Sequence, residues 1–166
     1  LQPSEVWFSF RTQAIMSVRY GVVPLMATRQ QIDEAMDRWY YKCLPKLGVN
    51  RSIRKEWRTL PVSFHGLGLP YLSLEKLAEL LHFIQRHWGT DSKMSKILRC
   101  GFELVQIETG LQGNFLQKDY DKLGILATHS WFKGLWELLW YFRVRLELLD
   151  TLDIPCVRER DRVIME

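Results

Sequence analysis

The sequence predicts a mainly α fold, a helical bundle with a small irregular or β element. Apolar residues recur at helical spacing in several segments, and residues typical of helix starts and stops flank these segments. The 166 residues are 47% hydrophobic and 13% aromatic. A chain of this length and composition can bury a core, whereas disordered tails are poor in aromatic residues.

The first predicted helix runs from Ser4 to Tyr20. Ser4 is the expected N-cap, since its hydroxyl can accept a hydrogen bond from the first turn. Gly21 is expected to stop the helix, and Pro24 prevents easy continuation.

The second predicted helix has the clearest boundaries. Thr28 and Gln31 have the spacing of a capping box, and Pro45 and Gly48 close the segment. We expect one face to be buried and the opposite face to be wet. The apolar face contains Ile32, Ala35, Met36, Trp39, Tyr40 and Cys43, and the polar face contains Arg29, Asp33, Asp37 and Arg38.

Residues 44 to 72 predict a turn-rich connector. A turn over residues 44–50 precedes a short basic helix from about Ser52 to Arg58. Residues 59–69 are expected to form a loop or a short strand. The Gly66-Leu67-Gly68 segment lacks the further glycine and the strand–helix context of a dinucleotide site. It indicates a turn with unusual backbone angles.

The second half of the chain predicts three more helices. They span about 73–89, 91–110 and 130–142. Ser73 and Asp91 are the expected caps of the first two, and the third starts at about Ser130. The expected inward residues are Leu74, Leu77, Leu81, Ile84 and Trp88; Met94, Ile97, Leu98, Leu104 and Val105; and Trp131, Leu135, Leu138, Leu139 and Phe142. Residues 111–129 should form a loop with a short strand or turn, 144–148 a short strand and 158–166 a terminal helix. We expect two regions, 1–72 and 73–166, packed as one domain.

No catalytic, cofactor or metal site is predicted. His82 and His87 are five residues apart and therefore lie on different faces of a helix, and no cysteine pair has zinc spacing. No nucleophile motif or phosphate-binding loop occurs. The carboxylate pairs Asp119/Asp121 and Asp150/Asp153 lack a third partner, so loop carboxylates are the expected interpretation.

The chain is expected to act inside the cell, in the nucleus or cytoplasm, and without a membrane. No apolar run approaches the length of about 18 residues that a membrane span needs. The three cysteines are odd in number and far apart, which favours a reducing compartment and buried, structural thiols. Because the chain begins with Leu1 and shows no signal-peptide pattern, we expect it to be cut from a longer protein.

The positive charge is concentrated in one stretch. The net charge is +4, yet residues 42–58 contain six cations and only one acid, Glu56. The six cations are Lys42, Lys46, Arg51, Arg54, Lys55 and Arg58. Such a cluster is typical of proteins that bind a phosphate backbone, and it is also compatible with a solvated loop and helix face.

The aromatic residues of the last predicted helix have two interpretations. Trp131, Trp136 and Trp140 lie on it together with three further aromatic residues. A helix that is aromatic nearly all round is usually buried on several sides, so core or interface packing is favoured over base stacking. An aromatic-rich face that binds a protein partner is the alternative function.

Two short elements carry a resemblance to a known family. Residues 44–51 read Leu-Pro-Lys-Leu-Gly-Val-Asn-Arg, and residues 65–69 read His-Gly-Leu-Gly-Leu. They resemble the region after the catalytic palm in reverse transcriptases of non-LTR-type retroelements. That family carries glycine where this chain has His65. Ser130-Trp131-Phe132 and the run from Arg158 to Asp161 are also similar to the family's tail.

The resemblance implies a function. The catalytic aspartates of the palm would lie N-terminal to Leu1, and the helices from Ser4 to Cys43 would correspond to the thumb. The six cations would then face the phosphates of the template–primer duplex, and the partners would be nucleic acid and the rest of the polymerase. We therefore expect a non-catalytic fragment of a retroelement RNA-directed DNA polymerase.

Overall fold

The computed structural model describes residues 2–111 and 113–148. In these ranges the chain is helical and contains no β-strand. The α-helices are α1 (Pro3–Ser9), α2 (Ile15–Val22), α3 (Arg29–Cys43), α4 (Lys55–Thr59), α5 (Leu72–His87), α6 (Lys93–Thr109), α7 (Tyr120–Leu123) and α8 (Trp131–Phe142). The mainly α prediction is therefore confirmed.

The predicted β element is absent from the described residues. Residues 144–148, expected to form a strand, have no regular secondary structure. The segments that were open to either assignment contain short helices instead. They are 3-10 helices at Val62–Phe64, Phe115–Gln117 and Gly124–Leu126, and helix α7. The predicted helix at 158–166 lies outside the described residues.

The chain divides into two compact units, Leu1–Glu79 and Leu80–Glu166. The predicted boundary, between residues 72 and 73, lies seven residues earlier. The difference arises because the start of α5 belongs to the first unit, where Lys76 is almost fully buried. Its ammonium group donates to the carbonyl oxygens of Leu25 (2.8 Å) and Ala27 (2.9 Å).

The first predicted helix is continuous but has different ends. A π-helical turn, Phe10–Ala14, joins α1 to α2. Gln2, not Ser4, is the N-cap, and its backbone N–H donates to the Glu5 carboxylate over 3.0 Å. The helix also runs one residue past Gly21, so the predicted cap and stop were both wrong.

Helix α3 begins as predicted. The Thr28 hydroxyl accepts from the Gln31 backbone N–H, and the Gln31 side chain accepts from the Thr28 backbone N–H over 3.0 Å, which completes the capping box. The helix ends in a 3-10 turn, Leu44–Leu47, and Gly48 follows in the left-handed conformation with φ 75°. Both boundaries are confirmed.

The buried face of α3 forms the core of the first unit. Ile32, Met36 and Tyr40 are buried there, whereas Ala35, which was predicted to be buried, is exposed. The core also contains five residues from other segments of the unit. These are Phe10, Val22, Leu44, Leu69 and Leu72.

The loop after α4 is folded tightly against it. The backbone N–H groups of Leu67 and Leu69 donate to the carbonyl oxygens of Trp57 (3.0 Å) and Arg58 (2.8 Å). A Cβ atom at residue 66 would lie 2.1 Å from the Leu60 carbonyl oxygen, so only glycine fits there. Gly68 has φ +60°, which confirms that this Gly-x-Gly segment adopts unusual backbone angles.

Several predicted helix ends in the second half were wrong. Ser73 lies inside α5 and is fully buried, so it is not a cap. Ser92, not Asp91, caps α6, since its hydroxyl accepts from the backbone N–H of Ser95. The predicted start of α8 at Ser130 is confirmed, and Ser130 is its N-cap, since its hydroxyl accepts from the backbone N–H of Lys133.

The core of the second unit is rich in aromatic residues. Phe102 contacts the rings of Trp88, Phe115 and Phe132, at centroid distances from 4.7 to 5.7 Å. Of the residues predicted to face inward, Leu77, Ile84, Trp88, Leu98, Val105, Leu135, Leu138 and Leu139 are buried, whereas Leu74, Met94, Ile97 and Leu104 are exposed.

The cysteines only partly match their prediction. Cys43 is half-buried against the core of the first unit, and Cys100 is exposed on α6, so the expected burial of Cys100 was wrong. Both thiols are free. Cys156 lies outside the described residues.

Candidate nucleic-acid interface

The predicted basic cluster lies on the end of α3, on the turn that follows and on α4. Four of its six cations are exposed: Lys42, Lys46, Arg51 and Arg54. None of these four forms an ion pair with a carboxylate in the part of the chain that the structure describes. Their charges therefore remain available to a partner in solution.

The turn that carries Arg51 is held in one conformation by local contacts. Asn50 accepts a hydrogen bond from the Ser52 backbone N–H through its side chain, over 2.8 Å. The Val49 backbone N–H donates to the Leu44 carbonyl oxygen over 2.9 Å. Because Val49 and Ile53 also pack against the core, the neighbouring cations lie on an ordered segment.

An exposed aromatic ring lies next to the exposed cations of the basic cluster, which we call the basic surface. The Arg51 guanidinium lies over the Tyr41 ring, 5.0 Å from its centroid, at a distance typical of a cation–π contact. Tyr41 is 57% exposed. The contact brings the turn back onto the last residues of α3, so Arg51 and Lys42 belong to one surface.

The other two cations, Lys55 and Arg58, lie against α3 and are paired with its acids. The Lys55 ammonium group is 3.0 Å from the Asp33 carboxylate, and the Arg58 guanidinium is 3.1 Å from Asp37. Arg58 also lies over the Tyr40 ring, 5.7 Å from its centroid. These two side chains connect α4 to α3.

Asp33 is the centre of a polar network. One carboxylate oxygen accepts from Arg29 (3.0 Å), Lys55 (3.0 Å) and the Tyr71 hydroxyl (3.1 Å). The other accepts from the Ser73 hydroxyl over 2.7 Å. The Asp33 side chain is only 12% exposed, so the predicted wet face of α3 was wrong at this position.

The pKa of Asp33 reflects this environment. Burial by itself would raise the pKa of this carboxyl group. The hydrogen bonds from Ser73 and Lys55, the positive charge of Lys55 and the bond from Tyr71 outweigh burial and hold the pKa below its ordinary value. The ionised form of Asp33 is therefore the form that the fold favours.

Acid should remove the stabilisation that this carboxylate provides. Since the folded-state pKa is lowered, the contribution is complete above the unfolded-state value of about 4 and is lost as pH falls through the folded value. We expect the difference in unfolding free energy between the wild type and Asp33→Asn to be largest near neutral pH and to shrink in acid. Urea denaturation at several pH values would measure it, and a constant difference would contradict the assignment.

Tyr40 links this region to the segment before α5. Its hydroxyl donates to the Pro70 carbonyl oxygen over 2.6 Å. Burial raises the pKa of Tyr40, against the nearby charge of Arg58, so the phenol stays protonated and remains a donor. The end of α3 and the end of the connector are thereby held together beneath the basic surface.

Sequence reasoning missed two residues of this surface. Arg38 is exposed, lies one helical turn before Lys42, and forms no ion pair with a described residue. The sequence pattern placed Arg38 only on the wet face of α3. Its spacing of four residues from Lys42 could have added it to the basic cluster. The sequence could also have identified Tyr41, because an aromatic residue between cations is typical of surfaces that bind nucleic acid.

The other candidate sites have ordinary structural surroundings. The Asp119 side chain caps α7, and Asp121 accepts from the indole N–H of Trp140 over 2.9 Å. Among the described residues, no three histidine, cysteine or acidic side chains cluster in a way that could hold a metal ion. Asp150 and Asp153 lie outside the described residues.

Two of the six aromatic residues of α8, Phe132 and Trp136, are buried in the core of the second unit, as the favoured interpretation predicted, whereas Tyr141 is exposed. Trp136 is fully buried and contacts the rings of Phe115 and Tyr120 edge-on, both at 5.3 Å. Trp131 contacts Phe83 at 5.9 Å. Trp136 and Trp140 are therefore not a pair of exposed neighbours.

Within the described ranges, no helix combines the length and the apolar character that crossing a membrane requires. No protein-family model, curated protein or solved structure matches the chain. The interpretation of the basic surface therefore depends on its own geometry and on the short sequence elements.

Proposed function

We propose that this chain is a non-catalytic fragment of a retroelement RNA-directed DNA polymerase that grips template–primer nucleic acid through its phosphate backbone. One observation carries the proposal: four cations of the predicted cluster are exposed, on an ordered segment, without an acidic partner among the described residues. These are Lys42, Lys46, Arg51 and Arg54. Two of them, Lys46 and Arg51, belong to the element that resembles the reverse transcriptases.

The chemistry of this surface suits phosphate groups. Lysine and arginine attract phosphate oxygens through charge, and arginine can also donate two parallel hydrogen bonds. Backbone phosphates are the same in every sequence, so such contacts position a duplex without reading its bases. Arg38 adds a further exposed cation on α3, one helical turn before Lys42.

Lys55 and Arg58 have a different role in this proposal. They already form ion pairs with Asp33 and Asp37, so we assign them as positioning residues. They hold α4 and the preceding turn against α3, and thereby keep Arg51 and Arg54 on the surface. Only the exposed cations are then expected to release counterions when nucleic acid binds.

Replacing Lys46, Arg51 and Arg54 with glutamine should weaken binding to a labelled RNA–DNA hybrid and flatten its salt dependence. Each lost phosphate contact should reduce the slope of log K against log salt by roughly one. Fluorescence anisotropy at several salt concentrations measures both quantities. The loss should be equal for hybrids of unrelated sequence, because the phosphate contacts read no bases.

The control removes exposed charge elsewhere. Arg86→Gln with Lys118→Gln lowers the net charge on the second unit and should leave the salt slope nearly unchanged. Lys55→Gln should lower the stability of the fold. It should change the salt slope of nucleic-acid binding by the folded protein only little. If the triple variant bound with the wild-type slope, the assignment of these cations would be wrong. If the wild type failed to bind at low salt, the proposed function itself would be wrong.

A further inference from the structure

Helix α6 carries an apolar stripe on its solvent side. Ile97, Leu104 and Ile107 are 64%, 56% and 63% exposed, and Met94 is exposed at the edge. Cys100 is exposed between them. At 100° per residue, Ile97, Cys100, Leu104 and Ile107 fall within an arc of about 80°.

The stripe is separate from the buried face of the same helix. Leu98, Phe102 and Val105 face the core of the second unit and are nearly fully buried. Helix α6 is therefore apolar on two sides, whereas an ordinary surface helix is apolar on one. Contiguous exposed apolar residues of this kind mark interaction surfaces.

The arrangement of the stripe is symmetric along the helix. Its centre is the peptide bond between Cys100 and Gly101. Ile97 and Leu104 are equally far from this centre, and so are Met94 and Ile107. A second copy of α6, laid antiparallel with a two-fold axis at this centre, would bring Ile97 of each copy level with Leu104 of the other.

The charges at the ends follow the same symmetry. Lys93 and Glu108 are both exposed and are equally far from the centre. In the antiparallel pair, Lys93 of one copy would be level with Glu108 of the other, at both ends of the interface. Such opposite charges favour this register and disfavour a parallel pair, in which like charges would meet.

We propose that the chain forms a homodimer through the outer face of α6, with the two helices antiparallel and crossing near Cys100. The occupant of the stripe is a second copy, because a two-fold interface requires a self-complementary patch and this stripe has that property. The paired face from Lys93 to Glu108 is about 24 Å long. An interface of this limited size belongs with the weak, transient ones, so we expect association in the micromolar range.

Sedimentation velocity of the full chain over a range of concentrations would test association. We expect a monomer that converts to a dimer in the micromolar range. Replacing both Ile97 and Leu104 with glutamate should weaken the dimer on the order of 100-fold, because central apolar residues dominate such interfaces. Both side chains are exposed, so circular dichroism should show an unchanged helix content.

The matched control places the same substitutions at Val62 and Phe64, which are as exposed but lie in the first unit. This variant should dimerise like the wild type. A chain that stayed monomeric at several hundred micromolar would overturn the proposal. So would a dimer equally weakened by the control variant or insensitive to charges at Ile97 and Leu104.

Cysteine cross-linking would test the register in a chain whose three natural cysteines are serine. Mixing the Ile97→Cys and Leu104→Cys chains should produce an interchain disulfide under mild oxidation. In the antiparallel pair, residue 97 of one copy lies opposite residue 104 of the other. Ile97→Cys alone should form far less, and preferential formation there would overturn the antiparallel pair. The outcome is independent of nucleic-acid binding, which depends on residues of the first unit.

Discussion

Replacing Trp136 with alanine should lower the free energy of unfolding by about 3–5 kcal/mol. Trp136 is fully buried, and it contacts the rings of Phe115 and Tyr120 edge-on. Its indole N–H donates to the Lys118 carbonyl oxygen over 2.9 Å. Alanine would leave a large cavity and remove the donor of this hydrogen bond, and both effects destabilise the fold.

Urea denaturation followed by circular dichroism measures this loss, and Trp57→Ala is the matched control. Trp57 is 51% exposed on α4, so its removal should cost much less. Trp136→Phe should fall between the two, since it keeps most of the ring contacts but loses the indole N–H. A loss below about 1 kcal/mol for Trp136→Ala would contradict the core assignment and reopen base stacking on α8.

Local chemistry made part of the fold predictable. The capping box of Thr28 and Gln31 and the Ser130 cap each depend on residues only three positions apart. Such signals act within one turn of chain and need no information on tertiary structure. The capping box therefore located the start of α3 correctly, and the predicted start of α8 at Ser130 is also correct.

The errors occurred where tertiary contacts override local patterns. Serine is a residue type that commonly caps helices. The Ser73 hydroxyl instead donates to Asp33, forty residues earlier in the chain. Ile97 and Leu104 are apolar and were therefore expected to be inside, yet the core uses Leu98, Phe102 and Val105. Hydrophobic spacing identifies a helix, but a helix with two apolar faces leaves open which one is buried.

The candidate site shows the same division. The cluster of cations was visible in the sequence, but a local count found only Glu56 to oppose them. The acids that pair with Lys55 and Arg58 are Asp33 and Asp37, on the preceding helix. Which cations remain exposed is decided by this packing, and it could not be derived from the residues between 42 and 58.

Replacing Asp33 with alanine should lower the free energy of unfolding by about 3 kcal/mol or more. The substitution leaves Lys55 and Arg29 without their shared carboxylate and removes the acceptor of the Tyr71 and Ser73 hydroxyls. The loss of a partly buried carboxylate that accepts several hydrogen bonds is costly, particularly when the donors are charged.

Glu34→Ala is the matched control, since it removes the same charge from the next residue of α3. Glu34 is exposed, and its hydrogen bond from Gln30 lies on the surface, so the expected loss is below about 1 kcal/mol. Equal losses for the two variants would show that Asp33 contributes only its charge. A much larger loss for Asp33→Ala, together with weaker hybrid binding under conditions where the protein stays folded, would show that the network also positions α4. The exposed cations would then depend on a partly buried carboxylate for their arrangement, although in this proposal that carboxylate does not itself contact the nucleic acid.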